Sequence, residues 1–342
     1  MTASSPGAVP SRLPGAGTSA AGTSAAVPLA AGLRPTGLPG ARTVSPADAP
    51  LRHAEHVMGT VFSFTVRDAG RGARRAGIEA ALHRAVARLH RIDETYSPYW
   101  RDSAVSRLAR AEIAPADCDP EVAWVLERCA EVARETGGWF TAHPDGQLDP
   151  SGWVKGWAVE ETVRELRAAG AADLSVGGGG DVQTVGGPWR IGIAHPTRPG
   201  ALTAVVAGHD LAVATSGTGE RGPHILDPHT GRPAEGLLSL TLVGRPPTGL
   251  ARTDAWATAA FAMGPDRGLS WVGARPGIEA LAVLADGSRR WTDGFPALVA
   301  PAPITVATPA RRAPGRALSG AAAPGHAAAP PATGAGGAAG RR

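Results

Sequence analysis

Apolar residues recur at helical spacing in three stretches of the first half of the chain. They form one stripe along residues 73–96, a second along residues 119–137 and a third along residues 155–169. A stripe of this kind is the face that an amphipathic helix buries. Pro120 lies near the start of the second stretch, and glycine follows the second and third stretches, as is usual at helix boundaries. The pattern therefore predicts three helices in this half.

The second half of the chain consists mainly of short apolar segments of strand length. Their residues alternate only in part, and turn-forming residues separate them, which is typical of antiparallel strands. Two helical patterns, at residues 254–263 and 269–274, interrupt these segments. Such a mixture favours an α+β fold over a regular βαβ alternation. With one earlier segment included, the predicted strands are residues 61–66, 173–176, 182–185, 189–193, 203–207, 212–215, 238–243 and 280–285.

Composition changes sharply at both ends of the chain. Residues 1–50 are mostly Ala, Gly, Pro, Ser and Thr, with no aromatic residue, and residues 302–342 are similar with added Arg. Neither stretch carries enough apolar surface to offset the entropy lost on ordering. We therefore expect two disordered tails around an ordered body at residues 51–301.

The chain is basic, with a formal net charge of +4 and an isoelectric point of about 9.8. Part of the excess is arginine near the C-terminus, such as Arg341 and Arg342. The body has no dense basic block interleaved with aromatic residues, which argues against a nucleic-acid partner. No apolar run approaches the roughly 20 residues of a membrane span. Since we also find no signal peptide or lipid-acceptor cysteine, we expect a cytoplasmic protein.

A run of four glycines followed by an aspartate comes directly after a predicted strand. Glycine allows positive φ and lets backbone N–H groups approach a ligand such as a pyrophosphate closely. No Gly-Lys-Ser/Thr follows, and the next element is a strand, so the run is neither a Walker loop nor a dinucleotide fingerprint. The alternative interpretation is a flexible turn. The run is Gly177, Gly178, Gly179 and Gly180, with Asp181 after it.

Two oxygen-bearing side chains share one face of a predicted helix. Asp254 and Thr258 are four residues apart, a spacing that places side chains on consecutive turns. A carboxylate and a hydroxyl are hard oxygen donors, which suits Mg²⁺ when phosphate oxygens complete its shell. The alternative is an N-capping aspartate followed by an ordinary helical threonine.

A histidine precedes a turn in the second half of the chain. His224 is followed by an apolar pair and then by Pro228 and Gly231, which indicates a strand ending in a turn. A histidine in such a loop can take a proton near neutral pH and act as a general base. A structural histidine is the alternative.

Residues 148–160 are predicted to open a helix. The N-terminus of a helix favours anions, and Lys155 adds a positive charge there. Trp153 and Trp157 are four residues apart, so either can flank a flat ring or simply pack in the core.

In this order, the segments resemble the ApbE family of FAD:protein FMN transferases. The resemblance covers roughly residues 58–296 and begins with Met58-Gly59-Thr60, followed by Tyr96 and its neighbours. Its most specific blocks are Ser-Gly-x-Val-Lys-Gly-x-Ala from Ser151, Gly-Gly-Asp ending at Asp181, Ala214-Thr215-Ser216-Gly217, His-Ile-x-Asp-Pro from His224, and Asp-Ala-x-Ala-Thr from Asp254.

The resemblance implies a two-lobed, T-fold-like α+β body with FAD in a cleft between the lobes. It implies that Mg²⁺ is held by Asp254, Thr258 and the backbone carbonyl of Val154. It also implies that His224 activates the acceptor hydroxyl. The FAD-binding residues that it implies are Met58, Tyr96, Glu160, Gly179, Gly180, Asp181 and Thr215.

The implied reaction is magnesium-dependent transfer of FMN from FAD to a Thr or Ser hydroxyl of a target flavoprotein. AMP is released and a phosphoester remains. One alternative is hydrolysis of FAD to AMP and FMN, and another is FAD binding without turnover. A fourth hypothesis, a basic nucleic-acid-binding protein, predicts steeply salt-dependent binding.

Two positions depart from the family pattern. Gly177 stands where the family often has Asn, so an amide that could bond FAD or orient the loop is absent. Glu160 stands where Asp is usual and is one methylene longer. We expect both departures to weaken adenine recognition without removing the metal site or the base.

Overall fold

A computed structural model describes residues 49–301, together with the backbone of a short strand at Ala26–Pro28. The predicted C-terminal tail and most of the predicted N-terminal tail lie outside the described residues. The short strand falls inside the predicted N-terminal tail, where it pairs with a strand of the body.

The described residues form an α+β fold, as the sequence pattern predicts. The strands are β1 (Ala26–Pro28), β2 (Leu51–Val57), β3 (Thr60–Val66), β4 (Leu174–Gly178), β5 (Asp181–Val185), β6 (Trp189–Ala194), β7 (Leu202–Gly208), β8 (Ala212–Gly217), β9 (Leu226–Asp227), β10 (Arg232–Pro233), β11 (Leu237–Gly244), β12 (Ile278–Leu284) and β13 (Arg289–Trp291). The helices are α1 (Gly72–Tyr96), α2 (Ala104–Ala109), α3 (Pro120–Glu135), α4 (Ser151–Ala168), α5 (Leu250–Ala262) and α6 (Gly264–Gly273).

The start of α5 differs from the predicted boundary. The helical pattern predicts a start at Asp254, but the helix begins four residues earlier, after Gly249. Gly249 has no side chain that could cap the helix, so the usual sequence signal for a helix start is missing. Asp254 therefore lies inside the helix, and its alternative interpretation as an N-cap is wrong.

One antiparallel sheet organises the body. Its strand order is β13-β12-β11-β8-β5-β4-β3-β2, and every neighbouring pair is antiparallel. Strands β3 and β4 are neighbours although four helices separate them in the sequence, so Phe64 lies opposite Val176. The long connection between them supplies the helices that cover one face of the sheet.

The two faces of the main sheet pack against different layers. On one face, Phe64 and Val176 belong to the hydrophobic cluster that includes residues of α1, α4 and α5. On the other face, Val182 and Val213 pack with buried residues of β6 and β7, which form a smaller sheet with β1. Because side chains alternate along a strand, Asp181 points from β5 toward the helical layer.

Strands β9 and β10 form a separate two-stranded hairpin. Among the described residues, this hairpin joins neither of the other two sheets. Within the same part of the chain, no helix is long and apolar enough to cross a membrane.

Candidate active site

Three charged side chains meet between the main sheet and the helical layer. Lys155, in the first turns of α4, contacts Asp181 at the start of β5, and its Nζ lies 3.0 Å from Oδ2 of Asp254 in α5. Both carboxylates are almost fully buried, with side-chain exposures of 1% and 6%. With both ionised, the cluster carries a net charge of −1, which can attract a cation.

Asp254 has an oxygen that the protein leaves without a hydrogen bond. Oδ2 forms an ion pair with Lys155 Nζ, and among the described residues it has no hydrogen bond of regular geometry. Burial raises the pKa of Asp254, while Lys155 and the backbone of Gly156 oppose that rise. A buried carboxylate oxygen with a single ion-pair contact keeps lone pairs that a ligand can use.

Two hydroxyl groups meet where α5 packs on β8, one helical turn from Asp254. Thr258 is one helical turn further along α5, and its Oγ1 lies 3.2 Å from Oγ of Ser216 in β8. Ser216 belongs to the Ala-Thr-Ser-Gly block of the resemblance but is not among the predicted site residues, because its direction depends on which face of β8 meets α5. Ser216 lies far from Asp254 and Thr258 in the sequence, so no spacing rule predicts that it meets them.

The available donors fit a hard cation that takes most of its remaining ligands from substrate or water. Between residues 49 and 301, no group of three or more His, Cys, Asp or Glu is arranged to hold a metal ion. Mg²⁺ is commonly bound by one or two carboxylates plus substrate phosphate oxygens, and therefore does not need such a group. Asp254 and Thr258 supply a carboxylate and a hydroxyl, which are donors of the right kind, and Val154 precedes Lys155 in α4.

A glycine turn lies directly against Lys155. Gly179 and Gly180 join β4 to β5, with φ of +55° and +95°. A Cβ added to Gly179 would lie 3.0 Å from Cδ of Lys155 and 3.4 Å from Thr60. Only glycine fits this turn without displacing the lysine, so the backbone forms the wall of the site.

The turn between β2 and β3 lies on the same side of the molecule as this glycine turn. Met58 and Gly59 both have positive φ, of +57° and +67°, which is the geometry of a two-residue hairpin turn. The backbone N–H of Met58 donates to Oδ2 of Asp93 at 3.3 Å, at the end of α1. Met58 therefore lies near Thr60, which contacts the glycine turn.

The backbone of Thr215 belongs to the cluster, whereas its side chain faces away. Its N–H donates to Oδ1 of Asp181 at 2.9 Å. Its hydroxyl lies 2.9 Å from Oγ1 of Thr241 on β11. Because Ser216 faces α5, the alternation along β8 places the Thr215 hydroxyl on the opposite face of the sheet.

Tyr96 and Glu160 are not gathered around Lys155. Tyr96 is 2% exposed and packs edge-to-face on Trp157 at 5.6 Å between ring centroids, and burial raises its pKa. Glu160 accepts a hydrogen bond from the backbone N–H of Ala251 at 2.9 Å, at the start of α5. Both residues support the helices that carry the site, and neither touches the charged cluster in the described contacts.

His224 lies in the exposed connection between β8 and the β9–β10 hairpin. Its Nδ1 lies 3.0 Å from the carbonyl oxygen of Gly222. Since a carbonyl only accepts hydrogen bonds, the neutral ring carries its proton on Nδ1 and leaves Nε2 free to take a proton. Arg221 in the same connection is near enough to Asp254 to lower its pKa slightly, although burial dominates and raises it.

The fold and the site define a class of α+β protein with a buried acidic site between an antiparallel sheet and its helices. The sequence model of the ApbE family matches residues 58–143 and 141–282. The chain therefore belongs to the ApbE family, as its motif order predicts.

Curated relatives and solved structures agree with this assignment. A protein of Rhodobacter capsulatus called FAD:protein FMN transferase is 34% identical over 236 residues, which cover 60% of this chain and 44% of that protein. One of Escherichia coli K12 with the same name is 33% identical over 159 residues, 42% of this chain and 44% of that protein. The chain thus spans less than half the length of these relatives.

Two solved structures share the fold. The ApbE protein of Thermotoga maritima has a TM-score of 0.62 at 22% identity and covers 73% of this chain and 99% of that one. The flavin transferase ApbE of Vibrio cholerae has a TM-score of 0.60 at 20% identity, with the same coverage. They confirm the α+β fold of the described body.

Proposed function

We propose that this protein is a magnesium-dependent FAD:protein FMN transferase. Two curated relatives carry that name, and the proposal extends their activity to this chain. The observation that carries it is the cluster of Lys155, Asp181 and Asp254, which places a net negative site and a lysine beside a glycine turn. Such a site suits a cation together with a pyrophosphate.

Asp254, Thr258 and the carbonyl of Val154 would hold Mg²⁺. Bound there, the ion would neutralise the charge that develops on the pyrophosphate oxygens during phosphoryl transfer. Asp254 contributes the buried oxygen that lacks a hydrogen-bond partner, and Thr258 contributes a hydroxyl one turn away. The protein therefore prepares the acidic side of the site before substrate arrives.

FAD would lie along the β2–β3 and β4–β5 turns. The backbone of Gly179 and Gly180 would approach its phosphates, and Met58 would border the flavin. Asp181 and the backbone of Thr215 would hold this edge in position through their mutual hydrogen bond. Tyr96 and Glu160 would contribute indirectly, because they support the packing of α1, α4 and α5.

His224 would accept the proton of the acceptor hydroxyl. The hydroxyl oxygen of a Thr or Ser of the target flavoprotein attacks the phosphorus of the FMN half, and the bond to the AMP phosphate breaks. The proton passes to Nε2 of His224, and AMP leaves with its phosphate. The Nδ1 contact with Gly222 favours the tautomer that this role requires.

The test is a mass measurement on an acceptor. The protein is incubated with FAD, Mg²⁺ and a set of peptides that each carry one Thr or Ser in varied surroundings. A peptide that gains the mass of one FMN residue, with the gain lost in EDTA, is the expected result. Release of AMP and FMN without any peptide gain would instead support an FAD hydrolase, and FAD binding without cleavage would overturn both catalytic readings.

A further inference from the structure

The β9–β10 hairpin carries His224 at its entry but gains no support from a neighbouring strand. In the described part of the chain, its two strands pair only with each other. A two-stranded hairpin alone is at best marginally stable in water. Its position must therefore come from its own turn and from side-chain contacts with the body.

Hydrogen bonds make the hairpin a single unit. The carbonyl oxygen of Asp227 accepts from the N–H of Gly231 at 2.8 Å, and its Oδ1 accepts from the N–H of His229 at 2.8 Å. At the other end, the N–H of Ala234 donates to the carbonyl of Ile225 at 2.9 Å. Hydrogen bonds tie the turn of the hairpin to its open end. A contact at the turn therefore also restrains His224, the residue before Ile225.

The tip of the hairpin is held by an aromatic stack. The ring of His229 meets the ring of Trp139 edge-to-face, with centroids 4.5 Å apart and an angle of 73°. On the same tryptophan, Cζ of Arg267 lies 4.7 Å from the ring centroid. Trp139 follows α3 and Arg267 lies in α6, so the stack connects the hairpin to two helical segments.

Gly138 forms the turn before Trp139 and lies beside the ring of His229. A Cβ added to Gly138 would lie 3.6 Å from Cε1 of His229, and Gly138 has a φ of +84° that other residues rarely adopt. The turn before Trp139 thus lets the histidine ring lie against the chain as well as against the indole. The contact therefore joins His229 of the hairpin to the Gly138–Trp139 segment of the body.

We propose that His229 is a positioning residue, which holds the hairpin against Trp139 and thereby restrains His224, the proposed base. The inference rests on the proposed function, in which His224 receives the proton. His229 is the second histidine of the same segment, and its role differs from that of a base. What matters is the flat ring against Trp139, not its ability to titrate.

This distinction defines the experiment. His229→Ala removes the ring, whereas His229→Phe keeps an aromatic ring and removes the titratable nitrogens. His209→Ala is the matched control, because His209 is an exposed histidine in the β7–β8 connection, away from the hairpin in sequence. For each protein, backbone hydrogen exchange of residues 223–236 is measured without FAD, and kcat and KM for FAD cleavage are measured with Mg²⁺.

We expect His229→Ala to speed exchange at Gly231 and Ala234 and to lower kcat by about three- to tenfold, the range of one aromatic contact. KM for FAD stays within about twofold, because the anchor lies at the tip and not at the glycine turn. His229→Phe restores both exchange and kcat to near the wild-type values, and His209→Ala changes neither.

Two outcomes would overturn the inference. Unchanged exchange and unchanged kcat in His229→Ala would show that the stack does not position the hairpin. If His229→Phe loses as much kcat as His229→Ala while its exchange stays normal, His229 takes part in the chemistry itself. A wild-type protein that cleaves no FAD would count against the proposed function alone, since the exchange measurement still decides whether His229 anchors the hairpin.

Discussion

At the scale of single residues, Lys155 explains how two buried aspartates coexist. Asp181 and Asp254 come from a strand and a helix far apart in the sequence, and each carboxylate is removed from water. Burying like charges together is expensive unless a cation lies between them. One lysine compensates one of the two charges, and the remaining charge is what a bound cation would neutralise.

Asp254→Asn is expected to abolish the metal dependence of FAD cleavage. The amide keeps the size of the side chain but removes the charge, so we expect at least a roughly 100-fold loss, the upper range for losing a supporting group of a metal site. Because burial raises the pKa of Asp254, ionising it costs folding stability, and the midpoint of thermal unfolding should not fall. Rates are measured against Mg²⁺ concentration.

The exposed Asp286, which bonds only within its own turn, provides the control for Asp254. Asp286→Asn should retain the wild-type rate and its dependence on Mg²⁺. An Asp254→Asn protein that cleaves FAD at the normal rate would refute the assignment of the metal site to α5.

His224→Ala is expected to slow transfer while leaving FAD affinity unchanged. General bases contribute about 10²–10⁴-fold, and water can replace part of that contribution, so we expect a loss of at least about tenfold. The ring is exposed, and its one hydrogen bond in the described structure is to the Gly222 carbonyl of the same connection, so stability should change little. Single-turnover rates and FAD titrations separate the two effects, and an undiminished rate would exclude His224 as the base.

The sequence could predict part of this residue constellation and not the rest. The four-residue spacing of Asp254 and Thr258 places both on one helix face whatever surrounds the helix. The contact of Lys155 with Asp181 depends instead on which face of β5 meets α4, and the role of Ser216 on which face of β8 meets α5. Those directions follow from the register of the sheet, which a single sequence does not contain.

At the scale of elements, the close approach of α4 and α5 brings Lys155 to Asp254. Gly156 lies where the helices touch, and a Cβ there would be 2.7 Å from Cα and 2.9 Å from the backbone nitrogen of Ala251. Any side chain at this position would separate the helices. The glycine after Lys155 therefore has a packing role.

Gly156→Ala is expected to destabilise the fold, although alanine is the better helix former. Overpacking of this kind costs about 1–3 kcal/mol. Gly77→Ala is the matched control, because Gly77 lies in α1 with no atom near the position of an added Cβ. It should stabilise the protein by up to about 1 kcal/mol. Denaturant unfolding of both variants measures the contrast, and equal shifts in the same direction would contradict it.

Glu160 gives α5 an N-terminal partner that its own sequence lacks. The carboxylate accepts the N–H of Ala251, and burial raises its pKa above the ordinary 4.5 despite that hydrogen bond. A carboxyl with a raised pKa stabilises the fold when protonated. This contribution is complete below about pH 4.5 and is lost as the pH rises through the raised value.

Glu160→Gln should therefore gain stability relative to the wild type as the pH rises. Its amide oxygen still accepts the Ala251 N–H but never ionises. We expect the difference in unfolding midpoint to be small near about pH 4 and to favour the glutamine variant near about pH 8. A wild-type advantage that grows with pH would show that the ionised carboxylate is the stabilising form.

At the scale of the whole molecule, the site lies where the helical layer meets the middle of the main sheet. The α+β class follows from the sequence, because helical patterns prevail in the first half of the chain and short, antiparallel-looking strand patterns in the second. The pairing of β3 with β4 does not follow from the sequence, since more than a hundred residues separate the two strands. Edge strand β2 was missed because polar residues occupy much of it, as is common at sheet edges.

FAD and Mg²⁺ together should stabilise the whole body more than FAD alone. The proposed ligands come from α4, α5 and the β2–β3 and β4–β5 turns, so bound substrate would link elements that unfolding separates. A ligand at 100 times its Kd that binds only the folded state adds about 2.7 kcal/mol. Thermal unfolding is measured with FAD, with Mg²⁺ and with both.

Asp254→Asn should keep the increment from FAD and lose the further increment from Mg²⁺. If Mg²⁺ adds nothing to the FAD effect in the wild type, the buried oxygen of Asp254 does not serve a metal, and the lysine cluster must be explained by stability alone.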